Sequence, residues 1–251
     1  MSDSRTTRHR VAALLGASAL ALLAAPQAGA ATAGHAAADH AAAGTVTATA
    51  GTVTASAVDS ANVSTTIHDH WTGQCMDLPG YGSVGVNTPV SQYPCDTSES
   101  GDNQDFHLNP TRVVSGVQLY EVVNDKSGLC LDLPGYGSDP AGTHLYVYTC
   151  DSNPANDNQE WSVWNMTAPG GTALSSVFEN FKASGSTVIS PTSGGQCLDV
   201  SGFADGSDAV AGADWAMNAP LTIYGCYNSS WANFGLDDHL WAFLDQWTAT
   251  P

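Results

Sequence analysis

The residues that could do chemistry come in three sets. Asp77, Asp132 and Asp199 each stand two positions after a cysteine, and Tyr93, Tyr148 and Tyr224 each stand two positions before the next one. Asn103-Gln104 and Asn158-Gln159 follow the first two sets, and Asp238-His239 stands at the corresponding place in the third. A carboxylate accepts charge-assisted hydrogen bonds, a carboxamide both donates and accepts, and an aromatic ring offers a flat apolar face at low entropic cost. This is a kit for holding a ligand, not for breaking a bond in it. The chain has no G-x-S-x-G elbow, no H-E-x-x-H pair and no D-x-[DN]-x-[DN]-G calcium loop.

The elements that must position these sets are short strands. Val117–Val123 and Leu145–Tyr148 are brief apolar runs rich in β-formers, and Gly, Pro, Asn and Asp punctuate the stretches between them. Pro79-Gly80 and Pro134-Gly135 are turn dipeptides at the same place in two sets. Residues 75–104 and 130–159 align without a gap, and 15 of the 30 positions are identical. A third, looser copy begins at Cys197 with CLDVSGFADG and carries a nine-residue insertion before Cys226. Internal repetition of this kind makes each copy one structural unit. Three all-β units in one domain favour closure about a threefold axis, which removes exposed sheet edges. Phe106, Trp161 and Trp241 recur in phase and are expected in the core.

Six cysteines allow fifteen pairings, and spacing alone does not choose among them. The repeat does: each unit owns two cysteines, and equivalent units should form equivalent bonds. Cys75–Cys95, Cys130–Cys150 and Cys197–Cys226 are therefore the expected disulfides. A zinc site is disfavoured, because no C-x-x-C pair is present.

The order Cys-x-Asp-[Leu/Val], aromatic-x-Cys, Gln-x-[Trp/Phe], complete in two copies and with His239 in place of the glutamine in a third, over residues 66–251, resembles the ricin B-type β-trefoil lectins. That family includes carbohydrate-binding modules of secreted bacterial glycosidases. The resemblance implies an all-β trefoil with pseudo-threefold symmetry, and one shallow sugar site in each repeat. It places a first site at Asp77, Tyr93, Asn103 and Gln104 and a second at Asp132, Tyr148, Asn158 and Gln159. The third falls at Asp199 and Tyr224, where Asp238 and His239 replace the Asn-Gln pair. The aspartate would accept from sugar hydroxyls, the ring would support the sugar's apolar face, and the amides would add contacts. Asn103 and Asn158 have a second possible role as loop braces. Tyr81, Tyr136 and Phe203, four residues after each aspartate, are candidates for a second pocket wall. Galactose-type or xylan-type glycans are the implied ligands, held multivalently as a polysaccharide or branched glycan. No cofactor or metal is implied.

The N-terminus reads as an export signal, residues 1–30: Arg5, Arg8 and Arg10, an apolar run from Val11 to Ala25, then Ala28-Gly29-Ala30. Residues 31–65 are dominated by Ala, Thr, Gly, Ser and Val and hold no aromatic, which reads as a flexible linker. Residues 66–251 form the folded domain. The sequence carries 24 acidic and 6 basic residues. Removing residues 1–30 leaves Arg112, Lys126 and Lys182 as the basic side chains against 23 acidic ones. Such a surface argues against nucleic acid and anionic membranes as partners. The expectation is a secreted, monomeric binding protein without enzyme activity. Two rivals are a trefoil that binds or inhibits proteins and a small glycoside hydrolase, which would need two carboxylates flanking a scissile bond.

Overall fold

The computed structural model describes residues 52–55, 62–96, 103–167, 174–188, 194–202, 216–226 and 238–243. All of them lie in the unit Thr47–Pro251. The described residues form strands, turns and one 3-10 turn at Pro154–Asn156, with no α-helix among them. The expected export signal lies outside the described residues.

The first repeat contains β2 (Thr65–Asp69), β3 (Cys75–Asp77), β4 (Thr88–Pro89), β5 (Ser91–Tyr93) and β6 (Asp105–Val114). The second contains β7 (Val117–Asn124), β8 (Leu129–Asp132), β9 (Thr143–His144), β10 (Tyr146–Thr149) and β11 (Trp161–Thr167). The third contains β12 (Leu174–Asn180), β13 (Gln196–Val200), β14 (Leu221–Gly225) and β15 (Trp241–Phe243). Pairing runs β2–β6–β7–β11–β12–β15 and back to β2, all antiparallel. Six strands thus close into a barrel. Three hairpins cover it, one per lobe: β3–β5, β8–β10 and β13–β14. This is the β-trefoil.

The core follows the repeat. Phe106, Trp161 and Trp241 are wholly buried, as expected, in one cluster with Ile67, Val122 and Phe178 from the first strand of each lobe. Equivalent hairpin positions, Met76, Leu131 and Leu198, close the cluster from above. The position that is Val147 and Ile223 in two lobes is Gln92 in the first, also buried. Its amide is satisfied by Thr72 Oγ1 at 2.7 Å and by the carbonyl of Ala216 at 3.2 Å, so the exchange leaves no stranded dipole. The three disulfides are those the repeat required: Cys75–Cys95, Cys130–Cys150 and Cys197–Cys226.

One difference from expectation lies in the linker. Thr52–Ala55 forms β1 and pairs antiparallel with β11, Thr52 opposite Thr167 and Ala55 opposite Trp164. β7 covers this edge of β11 only at Trp161 and Ser162, so its later residues have a free edge to offer. Three of four residues in Thr-Val-Thr-Ala are β-branched, a composition that suits a strand even within a small-residue tract. β2 likewise begins at Thr65, inside the stretch read as linker.

Candidate functional site

Register explains why the spaced residues meet. Side chains alternate across a strand, so each Asp shares a face with the Cys two positions before it. Tyr93 lies directly opposite Cys75, Tyr148 opposite Cys130, and Tyr224 opposite Cys197. Aspartate and tyrosine of each lobe are thereby diagonal neighbours on one hairpin face. The three copies are placed alike. Asp77, Asp132 and Asp199 are 5%, 8% and 5% exposed, while Tyr93, Tyr148 and Tyr224 are 39%, 40% and 47% exposed. A recessed carboxylate under an open ring is the common motif.

In the second lobe these residues line a cleft of about 190 Å³, together with Asn87, Pro134, Gly135, Tyr136 and Asp157. Pro134-Gly135 forms one rim, with Gly135 at φ 83°, a conformation glycine adopts without penalty. Tyr136 is open to solvent, and it supplies the expected second wall. The Asp132 carboxyl is pushed up to about 7, chiefly by burial, and further by the neighbouring carboxylates of Asp157 and Asp139. Hydrogen bonds from Gln159 and the Leu133 N–H oppose that rise, while Asp132 Oδ1 has no hydrogen-bond partner.

The amide pairs are buried, and they act on the site from behind. Asn103 Nδ2 donates to the Gly80 carbonyl at 2.8 Å, bracing the Pro79-Gly80 turn. Asn158 Nδ2 donates to Asp139 at 3.2 Å and to the Gly137 carbonyl at 3.4 Å. Gln104 Nε2 donates to Asp77 at 3.2 Å and to the Pro94 carbonyl at 3.1 Å, and its oxygen accepts from the Asp96 N–H at 2.8 Å. Gln159 repeats this with the Thr149 carbonyl and the Asp151 N–H. Each glutamine thus ties the aspartate strand to the tyrosine strand. Below them Asn124 Nδ2 holds the Asn103 carbonyl at 2.9 Å, and Asn180 Nδ2 holds the Asn158 carbonyl at 2.7 Å.

The third lobe is wired differently. Thr222, opposite Asp199 in the ladder, donates its hydroxyl to Asp199 Oδ2. His239 Nε2 lies 3.6 Å from Asp199 Oδ1, and its Nδ1 lies 3.6 Å from Asp238 Oδ1. Both oxygens of Asp199 therefore face neighbours of its own lobe. Phe203, the expected second wall here, lies outside the described residues.

Two cleft residues were not expected from the sequence. Asp157 precedes the Asn-Gln pair, and aspartate stands at the equivalent place in all three repeats, as Asp102 and Asp237. That triple identity was the available signal. Asn87 belongs to the first repeat and reaches the cleft of the second, which alignment within a repeat does not reveal.

Residues 63–167 match the family model of the ricin-type β-trefoil lectin domain. That match places a ricin-type β-trefoil lectin domain over β2 to β11, the first two repeats. Solved structures to which the chain is similar include the designed threefold-symmetric protein ThreeFoil, at 18% identity over 72% of this chain and 96% of that one, TM-score 0.41. The agglutinin of Rhizoctonia solani is 16% identical over 72% of this chain and 92% of its own, TM-score 0.42. The Macrolepiota procera ricin B-like lectin, solved with lactose, is 18% identical over 73% and 96%, TM-score 0.37. Among curated protein sequences none matches this chain. A lectin domain of this type supports carbohydrate binding in general.

Proposed function

We propose that this protein is a secreted, non-catalytic lectin that binds neutral glycans of galactose or xylan type through shallow sites in its lobes. The cleft of the second lobe carries the reading: a recessed carboxylate with an unpartnered oxygen, flanked by two open tyrosine rings. A sugar hydroxyl donating to Asp132 Oδ1 would supply the hydrogen bond that burial withholds. Tyr148 and Tyr136 offer area for the C–H face. In this reading Gln159 and Asn158 position rather than touch the sugar, and Gln104 and Asn103 do the same around Asp77 and Tyr93. The third site is the weakest, since Asp199 is engaged within its own lobe. Single shallow sites bind weakly, so two on one monomeric body favour a polysaccharide or multivalent glycan through avidity. The acidic surface suits uncharged ligands and leaves no attraction for nucleic acid or an anionic bilayer.

The test uses the disulfide-bonded chain on lactose, xylo-oligosaccharides and soluble xylan, beside the variant Tyr93→Ala/Tyr148→Ala. Both rings are open to solvent, so the fold should survive their loss. Binding by the parent that falls at least tenfold in the variant, with no reducing sugar released, is the expected result. A folded parent that binds none of these sugars, or a variant that binds as well as the parent, would overturn it.

A further inference from the structure

The Asp132–Tyr148 cleft is not made by one lobe. Asn87 lines it, yet Asn87 belongs to the loop between β3 and β4 of the preceding lobe. Its backbone is held there: the Asn87 N–H donates to the Val147 carbonyl at 2.8 Å, one residue before Tyr148. Asn87 sits at φ 61°, a left-handed conformation that asparagine tolerates and most residues do not.

The same junction recurs twice around the barrel. The Gly142 N–H donates to the Ile223 carbonyl at 2.7 Å, one residue before Tyr224, with φ 83°. The Asn218 N–H donates to the Gln92 carbonyl at 2.8 Å, one residue before Tyr93, with φ 65°. Gln92 Nε2 also holds the nearby Ala216 carbonyl, so the end of the third lobe's insertion is pinned beside the first site. Each lobe thus sends one left-handed residue to the tyrosine strand of the next. Two of these residues are asparagines with exposed side chains, and one is a glycine.

We propose that Asn87 and Asn218 are ligand-contacting residues donated across lobe boundaries, Asn87 to the Asp132–Tyr148 site and Asn218 to the Asp77–Tyr93 site, and that Gly142 leaves the Asp199–Tyr224 site without this contact. The chemistry is that of an exposed carboxamide, which donates to and accepts from ring hydroxyls of a neutral sugar. A merely conformational role for asparagine would be met equally well by glycine, and glycine is what the third junction has. The proposal rests on the lectin reading above.

Substitution by glycine isolates the side chain. Glycine adopts φ 61° freely and keeps the N–H that bonds Val147, so Asn87→Gly should fold as the parent does. The background Tyr93→Ala/Tyr224→Ala leaves the second site as the site under test, titrated with lactose or xylotetraose, whichever the parent binds. Asn87→Gly is expected to weaken binding about three- to tenfold, the worth of one or two neutral hydrogen bonds. Asn87→Asp keeps an acceptor and loses the N–H donors, so it should fall on the same side if the amide donates. Asn218→Gly, in the background Tyr148→Ala/Tyr224→Ala, should weaken the first site likewise. Affinity within twofold of the background for Asn87→Gly, with unchanged thermal unfolding, would overturn the proposal while leaving the lectin reading intact. The same result for Asn218→Gly alone would confine it to the second site. A parent that binds neither sugar would remove the reading on which it rests.

Discussion

Replacing Asp132 with asparagine should stabilise the fold, and by more as the pH rises. The carboxyl is almost wholly buried, and its pKa is pushed from 3.8 to about 7. In the unfolded chain the group loses its proton near pH 4; in the folded chain it keeps it until about pH 7. Between those values the folded state binds more protons than the unfolded one, so stability falls as pH rises through the window and levels off above it. A displacement of that size sets an upper limit of roughly 4 kcal/mol at pH 8, which solvent entering the open cleft lowers. Asparagine has the same shape, can keep its oxygen toward Gln159, and never ionises. The variant and the parent should therefore be similar near pH 4, and the variant should lead by up to about 4 kcal/mol at pH 8. Urea unfolding of both proteins with disulfides intact, at several pH values from 4 to 8, gives the comparison. A stability gap that does not change with pH, or a parent that gains on the variant as pH rises, would refute the argument that burial dominates this carboxyl.

The same carboxyl predicts a proton linked to binding. Sugar hydroxyls favour its charged form, so affinity at the second site should climb between pH 5 and 7 and flatten above, and calorimetry at pH 6 in buffers of different ionisation enthalpy should show proton release. Gln159→Ala should cost about 1–3 kcal/mol in urea unfolding, because the Asp151 N–H and Thr149 carbonyl lose their partner; it should also weaken binding at the second site while leaving the first unchanged. Arg112 grips the buried Glu160 through Nε and Nη2 and stacks over Phe181. Arg112→Met should cost about 1–3 kcal/mol, because the buried Glu160 carboxylate loses its charged partner and keeps the Thr111 hydroxyl, and adding Glu160→Gln should recover most of it.

The barrel and its covalent ties were legible because repetition converts spacing into geometry. Once Cys75–Gln104 and Cys130–Gln159 aligned, cysteine pairing and the burial of Phe106, Trp161 and Trp241 followed from equivalence. The face shared by aspartate and tyrosine was legible in the same way, since two-residue offsets fix sides of a strand. What the repeat hid was contact between copies. Asn87 meets Tyr148 only because β4 pairs with β10 of the next lobe. Gln104 and Gln159 were read as ligand contacts; their amides turned out to span Asp and backbone, a role that depends on how deep the strand lies. β1 escaped notice because a four-residue strand in an Ala-Thr tract finds its place through a neighbour's unfilled edge.

The three left-handed junctions carry a consequence for how such a protein can diverge. The tryptophans and phenylalanine that close the barrel lie apart from the hairpin rims, so a lobe can change its rim without disturbing what holds the molecule together. The junctions limit that freedom in a circular way, because a substitution at Asn87 is inherited by one lobe and felt at the rim of its neighbour. Drift in any one copy therefore alters the selective setting of the next, and the copies evolve as a ring of dependents, not as three separate tenants of one scaffold.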